Sequence, residues 1–147
     1  MPEIRPATLS DVPALLILMR AYYIFDHLEF TAERAQHALS TLLSEARGAV
    51  WLLHENEQAL GYGAVVWSYS LEYGGVDATL DELYISDDLR GQGWGARLVE
   101  HIVKACRAAG AVVLRLETEP DNEGARVFYG KLGFQPLERV LLKLHLA

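Results

Sequence analysis

Three glycines fall within five residues in the stretch Arg90-Gly91-Gln92-Gly93-Trp94-Gly95-Ala96. The segment before it reads as a strand, Asp77 to Ile85. The segment after it carries Leu98, Val99, Ile102, Val103 and Cys106 on one face, as a helix should. A strand feeding a helix through a glycine turn forces a layered α/β arrangement, because each element has one apolar side to cover. Glycine also lets the backbone turn tightly and approach a ligand closely. At a helix N-terminus, free N–H groups and the positive dipole end attract a phosphate.

The rest of the chain fits that layering. Residues 2–7 read as a short extended segment, kept out of a helix by Pro2 and Pro6. Ser10 and Asp11 can cap a helix with Leu15, Leu18, Met19 and Tyr22 on one stripe, and Thr31 opens another with Ala35, Leu39, Leu42 and Leu43. Ala49–Leu53 and Gly61–Leu71 read as strands joined by the turn Glu55-Asn56-Glu57-Gln58, and Gly74-Gly75 turns into the strand that precedes the glycine loop. Ala111–Leu116 reads as a strand, Asp121–Leu132 as a helix, and Val140–Leu146 as a half-buried strand. The expectation is one domain over residues 1–147, with a mixed, mostly antiparallel central sheet.

Composition excludes several classes. With 147 residues and 51% hydrophobic content the chain can bury a full core without disulfides. Its single Cys106 is read as an inert core residue, and His27, His37, His54, His101 and His145 have no metal-ligand spacing, so no metal is expected. No secretory leader or membrane span is visible, so the default is a cytoplasmic protein. The net charge of −7 argues against nucleic acid as a partner. Residues 1–89 hold 4 Lys/Arg against 14 Asp/Glu, whereas residues 90–147 hold 9 against 6, so the two halves suit differently charged ligands.

Two phosphate-binding designs compete for the loop. Gly91-x-Gly93-x-x-Ala96 satisfies the dinucleotide fingerprint, with Glu117 about 20 residues on. Against it, Ser86-Asp87-Asp88-Leu89-Arg90 separates the strand from the first glycine, and too little chain follows Glu117 to finish a doubly wound sheet. The other design, R-x-x-G-x-G/A, is met by Arg90, Gly93 and Gly95. With Ile4-Arg5-Pro6-Ala7-Thr8, Asp81-Glu82-Leu83-Tyr84-Ile85 and Asn122-x-x-Ala125-x-x-Phe128-Tyr129-x-x-x-Gly133-Phe134, the sequence resembles the GNAT superfamily of acetyl-CoA-dependent N-acetyltransferases over almost its whole length.

That resemblance implies a fold with helices on both faces of the sheet and a splayed strand pair that holds CoA. It implies that the backbone of Gly91, Gln92, Gly93, Trp94, Gly95 and Ala96, with Arg90 at the mouth, binds the pyrophosphate. Leu83, Tyr84 and Ile85 would pair with the pantetheine arm, and Asn122 would hydrogen-bond it. Tyr129 matches the acid that protonates the departing thiolate. Trp94 is expected to pack beneath the loop and Phe128 in the core. Two-fold dimers are common in such a family, so a homodimer is expected.

The resemblance implies a primary amine as acceptor, which must be neutral to attack, so a base is needed. Asp81 and Glu82 are neighbours on the strand ending at the acetyl site, and without a bulge only one faces the cleft. Glu82 is taken as the base, Asp81 as a substrate contact and Glu117 as a reserve. Asp77, Asp87 and Asp88 flank the same region, and Tyr22-Tyr23-Ile24-Phe25-Asp26 follows the first helix. Aromatic faces with carboxylates suit an ammonium group. A local resemblance to diamine and polyamine acetyltransferases places Phe25 and Asp26 as substrate contacts and points to a small cationic amine. An amino acid, an aminoglycoside-like amine or a protein amine are the other acceptors. A CoA-binding sensor without turnover is the reading from another class.

Overall fold

The alternating apolar residues in the middle of the chain form three antiparallel strands in the computed structural model, which describes all 147 residues. These are β2 (Gly48–Glu55), β3 (Gln58–Ser70) and β4 (Gly75–Ile85). Asn56 and Glu57 turn β2 into β3 with φ of 50° and 68°, the left-handed pair that matches the twist of a two-residue hairpin. β1 (Glu3–Pro6) adds antiparallel to β2, and β5 (Ala111–Arg115) adds parallel to β4, giving the order β1-β2-β3-β4-β5. A parallel neighbour requires a crossover, and α3 (Trp94–Ala108) supplies it.

Helices cover both faces, as the period of two dictates. Leu15, Leu18 and Met19 of α1 (Val12–Phe25) and Ala35 and Leu39 of α2 (Ala32–Ser44) pack on Val50, Leu52, Tyr62 and Ala64. The alternate residue Leu53 packs with Leu60 and Trp94, the first residue of α3. Gly63 leaves the space that the Ile102 side chain of α3 fills, and Leu98, Val99 and Ile102 are fully buried. Cys106 is buried beside them, its thiol pushed up to about 11 by burial, which keeps it an inert core residue. No helix is long and apolar enough to cross a membrane.

Two compact units divide the chain, Met1–Glu117 and Thr118–Ala147. The second contains α4 (Glu123–Lys131), opened by Asn122, whose Oδ1 accepts from the Ala125 N–H at 3.0 Å, and closed at Gly133 with φ 100°. The strand expected over Val140–Leu146 is absent: residues 135–147 enter no helix or strand, and Val140, Leu142, Leu144 and Leu146 are more than four-fifths exposed. Alternation prepares a strand but does not provide its partner, and a ladder exists only where a neighbour supplies the opposing N–H and C=O groups.

The first helix also begins differently from its sequence reading. A short 3-10 turn, Leu9–Asp11, precedes α1, and of the two expected caps it is Asp11 that stands directly before the helix. The Asp11 carboxylate accepts from the Thr8 N–H at 2.8 Å and from both terminal nitrogens of Arg5 at 2.8 Å. This fork ties β1 to the start of α1 and holds the Asp11 carboxyl down at about 2 against an ordinary 3.8, chiefly through Arg5. A depressed carboxyl stabilises the fold above its unfolded pKa and loses that contribution as pH falls through its folded pKa. Because Arg5 is nearly half exposed, solvent screening reduces the effect to about 1 kcal/mol. Urea unfolding of Arg5→Gln at pH 7 should therefore show a loss of about 1 kcal/mol relative to the parent, a gap that closes as pH falls from about 4 to about 2.

Candidate active site

β4 and β5 run together for only part of their length. The parallel register begins at Val76 and Ala111 and ends at Thr79 and Arg115, whereas β4 continues to Ile85. From Leu80 to Ile85, β4 is paired only with β3, on its other side. Leu83, Tyr84 and Ile85 thus lie on a stretch of β4 that is not paired with β5. The Asp77 carboxylate, 1% exposed, forms an ion pair with Arg115 at the last rung, with Nε donating to Oδ1 at 3.1 Å. Asp77 therefore does not join the acidic flank read for it from sequence.

A bulge decides the orientation of the acids. Ala64 opposes Glu82 and Val65 opposes Leu80, so Asp81 has no partner across the ladder. Glu82 faces α1: its Oε2 accepts from the Tyr23 hydroxyl at 2.5 Å and its Oε1 from the Tyr62 hydroxyl at 2.7 Å. Burial raises the Glu82 carboxyl above its ordinary value, the two hydroxyls pull it back, and the Asp81 charge pushes it up again. Asp81 is raised as well, by burial of its carboxyl. Burial first, then the Glu82 hydrogen bond, raises Tyr23, and burial and the Glu82 charge raise Tyr62, so both phenols stay protonated as donors. Both acids raise the Tyr23 hydroxyl through their charge, Glu82 through its hydrogen bond as well.

The two tyrosines are what the sequence reading missed as polar groups. Tyr23 was seen only as an aromatic near the cleft, and Tyr62 was not singled out, since a tyrosine among the apolar residues of β3 looks like core. Its one signal was position: Tyr62 precedes by two residues Ala64, the partner of Glu82, and side chains two apart share a face. Around these groups the rings continue, with Tyr22 against Tyr23 at 5.5 Å, Tyr22 against Tyr84 at 6.1 Å and Phe30 against Tyr23 at 5.7 Å.

The glycine loop has the geometry its composition demands. A 3-10 turn, Asp87–Leu89, leads into Gly91 and Gly93, with φ of 75° and 85°, and Gly93 is the residue before α3. A Cβ there would be strained, and the space beside both glycines is open. Trp94 packs beneath the loop with Leu53 and Leu60, while Arg97 lies 4.6 Å over its ring. Gln92 donates to the Asp88 carbonyl at 2.8 Å. Gly95 and Ala96 lie in the first turn of α3, where backbone N–H groups lack helical acceptors. Arg90 has more to do inside the fold than the sequence implied: it donates to the Ile85 carbonyl at 3.0 Å, pairs with Asp87 at 2.8 Å and covers the Phe25 ring at 4.3 Å.

The remaining expected residues are placed as follows. Phe25 is exposed at the end of α1 beneath Arg90, and Asp26 is the exposed residue that ends that helix. Asp88 is exposed on the loop and Glu117 is exposed just past β5, so neither matches the partly buried setting of Glu82. In the second unit, the Tyr129 ring lies between Phe128 at 4.9 Å and Phe134 at 5.5 Å, and burial raises its hydroxyl. Asn122 serves as the α4 cap, the role its position also allowed from sequence.

Comparison with known proteins agrees with this geometry. A family described as the acetyltransferase (GNAT) family matches residues 13–134. The chain is 27% identical over 141 residues to an uncharacterized N-acetyltransferase of Methanocaldococcus jannaschii, covering 93% of this chain and 62% of that protein. It is 32% identical over 78 residues to the thialysine N-epsilon-acetyltransferase of Bos taurus, covering 53% of this chain and 45% of that one. It thus spans less than two thirds of the length of both relatives. Among solved structures, an integron cassette protein from the mobile metagenome of Cole Harbour Salt Marsh superposes with a TM-score of 0.87 at 30% identity, covering 98% of this chain and 90% of that one.

The Glu82 cluster yields a direct test. Tyr62→Phe keeps the ring and removes one donor from a largely buried carboxylate, so the Glu82 carboxyl should titrate at higher pH than in the parent. Carbon NMR of the glutamate carboxyls across a pH series would show it, with a folding loss of about 1–2 kcal/mol at neutral pH. An unmoved Glu82 titration would contradict the hydrogen bond.

Proposed function

Starting from the fact that the chain belongs to the GNAT acetyltransferase family, whose members are acyltransferases, we propose that it moves an acetyl group from acetyl-CoA to the primary amine of a small cationic acceptor. The observation that carries this reading is Glu82, a partly buried carboxylate with raised proton affinity, held by Tyr23 and Tyr62 at the strand end where β4 loses its β5 partner.

The residues present suit acetyl-CoA as co-substrate. The edge of β4 over Leu83, Tyr84 and Ile85 offers ladder groups to an amide-bearing arm, and the left-handed turn at Gly91 and Gly93 brings the start of α3 to a pyrophosphate. Acetyl-CoA supplies the activated thioester carbonyl. A backbone N–H in the Ile85 region would stabilise the oxygen of that carbonyl as charge develops there. Arg90 braces this end of β4 by holding the Ile85 carbonyl, so its cofactor role is to shape the loop mouth as well as to add charge.

Asp81 attracts the ammonium, and Glu82 accepts its proton, directly or through water. A carboxyl shifted upward is better matched to that transfer near neutral pH than an ordinary glutamate. The neutral amine then attacks within the ternary complex: the C–N bond forms, the C–S bond breaks, and Tyr129 protonates the leaving thiolate. The rings of Tyr22, Tyr23 and Tyr84 supply aromatic surface suited to a cation, whereas the Phe25 ring is already covered by Arg90. The local likeness to a thialysine N-epsilon-acetyltransferase supports an amine on a short cationic chain as acceptor.

A thiol-release assay with acetyl-CoA and a panel of diamines, polyamines, amino acids, aminoglycosides and peptides should show the highest kcat/KM for a small diamine or polyamine. Glu82→Gln should lower kcat by about 100-fold or more and remove the acidic limb of the pH–rate profile, while Asp81→Asn should mainly raise the amine KM. Tight CoA binding with no acetyl transfer to any member of the panel would sink the enzyme reading.

A further inference from the structure

The last turn of α1 reaches β4 and its loop at three successive places. Tyr23 donates to Glu82, the Tyr22 ring meets the Tyr84 ring at 6.1 Å, and the Phe25 ring lies under the Arg90 guanidinium at 4.3 Å, just past the strand. The first two contacts belong to the amine side of the proposed reaction. The third does not. Phe25 is 61% exposed, yet its ring is taken up by a cation of the chain itself.

Both partners are held where they meet. α1 stops at Phe25, where the Asp26 N–H returns to the Tyr22 carbonyl at 2.9 Å. The chain then reverses through His27, left-handed at φ 56°, so that the Leu28 N–H reaches the Tyr23 carbonyl at 2.8 Å. On the other side, the guanidinium is anchored to the Ile85 carbonyl at 3.0 Å and to the Asp87 carboxylate at 2.8 Å. The peptide after Ile85 is therefore fixed at both polar groups, because the Ser86 N–H donates to the Leu60 carbonyl at 2.8 Å. Arg90 in turn directly precedes Gly91, where the left-handed turn of the loop begins. Ile85 and Asp87 belong to the same segment as Arg90, whereas Phe25 ties that segment to a helix distant in sequence.

We propose that Phe25 is a positioning residue for the cofactor loop: through Arg90 it holds the mouth of the turn at Gly91 and Gly93, and it acts on CoA binding rather than on the amine. This rests on the reading of that loop as the CoA site. A guanidinium stacked on a ring and bonded to its own backbone is ordered before the cofactor arrives, so less ordering remains to be done on binding. The planar group of arginine can stack and donate at once, which the ammonium of a lysine cannot. One helix then aligns both substrates, with Tyr23 serving the base and Phe25 the cofactor loop.

Calorimetric titration of CoA into the full chain tests this without turnover. Phe25→Leu should raise the CoA dissociation constant about two- to fivefold, the size of an exposed cation–π contact, while Phe25→Tyr, which keeps the ring, should retain the parent value. Arg90→Gln should weaken CoA binding at least as much. Adding Phe25→Leu to it should change the constant no further, because the ring then has no cation to hold. In the acetyl-transfer assay, Phe25→Leu should raise the KM of acetyl-CoA and not that of the amine. Equal CoA affinity of the parent and Phe25→Leu would overturn the inference, as would additive losses in the double variant or a rise in the amine KM alone. A parent that binds no CoA would overturn the reading of the loop together with it.

Discussion

The parting of β4 from β5 beyond Thr79 and Arg115 is the constraint on which the candidate site depends. Were the two strands paired to the end, Leu83, Tyr84 and Ile85 would spend their outer ladder groups on β5 and offer none to a ligand. The Asp77–Arg115 pair sits where pairing ceases. Asp77 is the one charged residue of the buried set, and a buried carboxylate is tolerated only with a partner of this kind. The pair therefore fixes the last rung from the side of the core, and β4 departs alone from there. The glycine turn and the start of α3 follow directly from the freed end of β4, so the glycine loop inherits its position from the same break.

A second irregularity gives that strand its chemistry. In an unbroken ladder Asp81 and Glu82 would point to opposite faces, and one would be lost to the α3 side. The bulge at Ala64 and Val65 removes Asp81 from the count, and both acids then bear electrostatically on Tyr23. Tyr23 comes from α1 and Tyr62 from β3, so the position of Glu82 registers how the first helix packs on the sheet. The proton affinity of the proposed base is a balance among burial, two donors and a neighbouring charge, and each contribution belongs to a different element.

Much of this was legible in the sequence, for reasons that can be named. The glycine loop was readable because glycine takes, without strain, the left-handed conformations found at Gly91 and Gly93. The helical stripes and alternating strands were readable because burial imposes their periods, and Leu52 and Leu53 do reach opposite helix layers. Three things were not readable. The bulge arises from register, which no residue type in Asp81-Glu82 announces. The partnership of Glu82 with Tyr62 joins residues on neighbouring strands, and an apolar context disguised the tyrosine. The tail at Val140–Leu146 has the right alternation, but pairing is a property of two strands and only one of them is written in that stretch.

The charge division of the chain also changes meaning once the contacts are known. Counted by halves, the acidic first part appears to offer a broad field of carboxylates to a cation. Two of those carboxylates are already engaged with arginines of the other half: Asp77 with Arg115, and Asp87 with Arg90. Asp11 is likewise taken up by Arg5. At the end of β4, Asp81 and Glu82 remain, and Glu82 is held by hydroxyls rather than by a cation. Neutral donors orient a carboxylate without cancelling its charge, whereas an arginine would neutralise it. The carboxylates at the end of β4 are thus not neutralised by the surrounding ion pairs, and the proposal of a cationic amine rests on those two residues instead of on the total of −7.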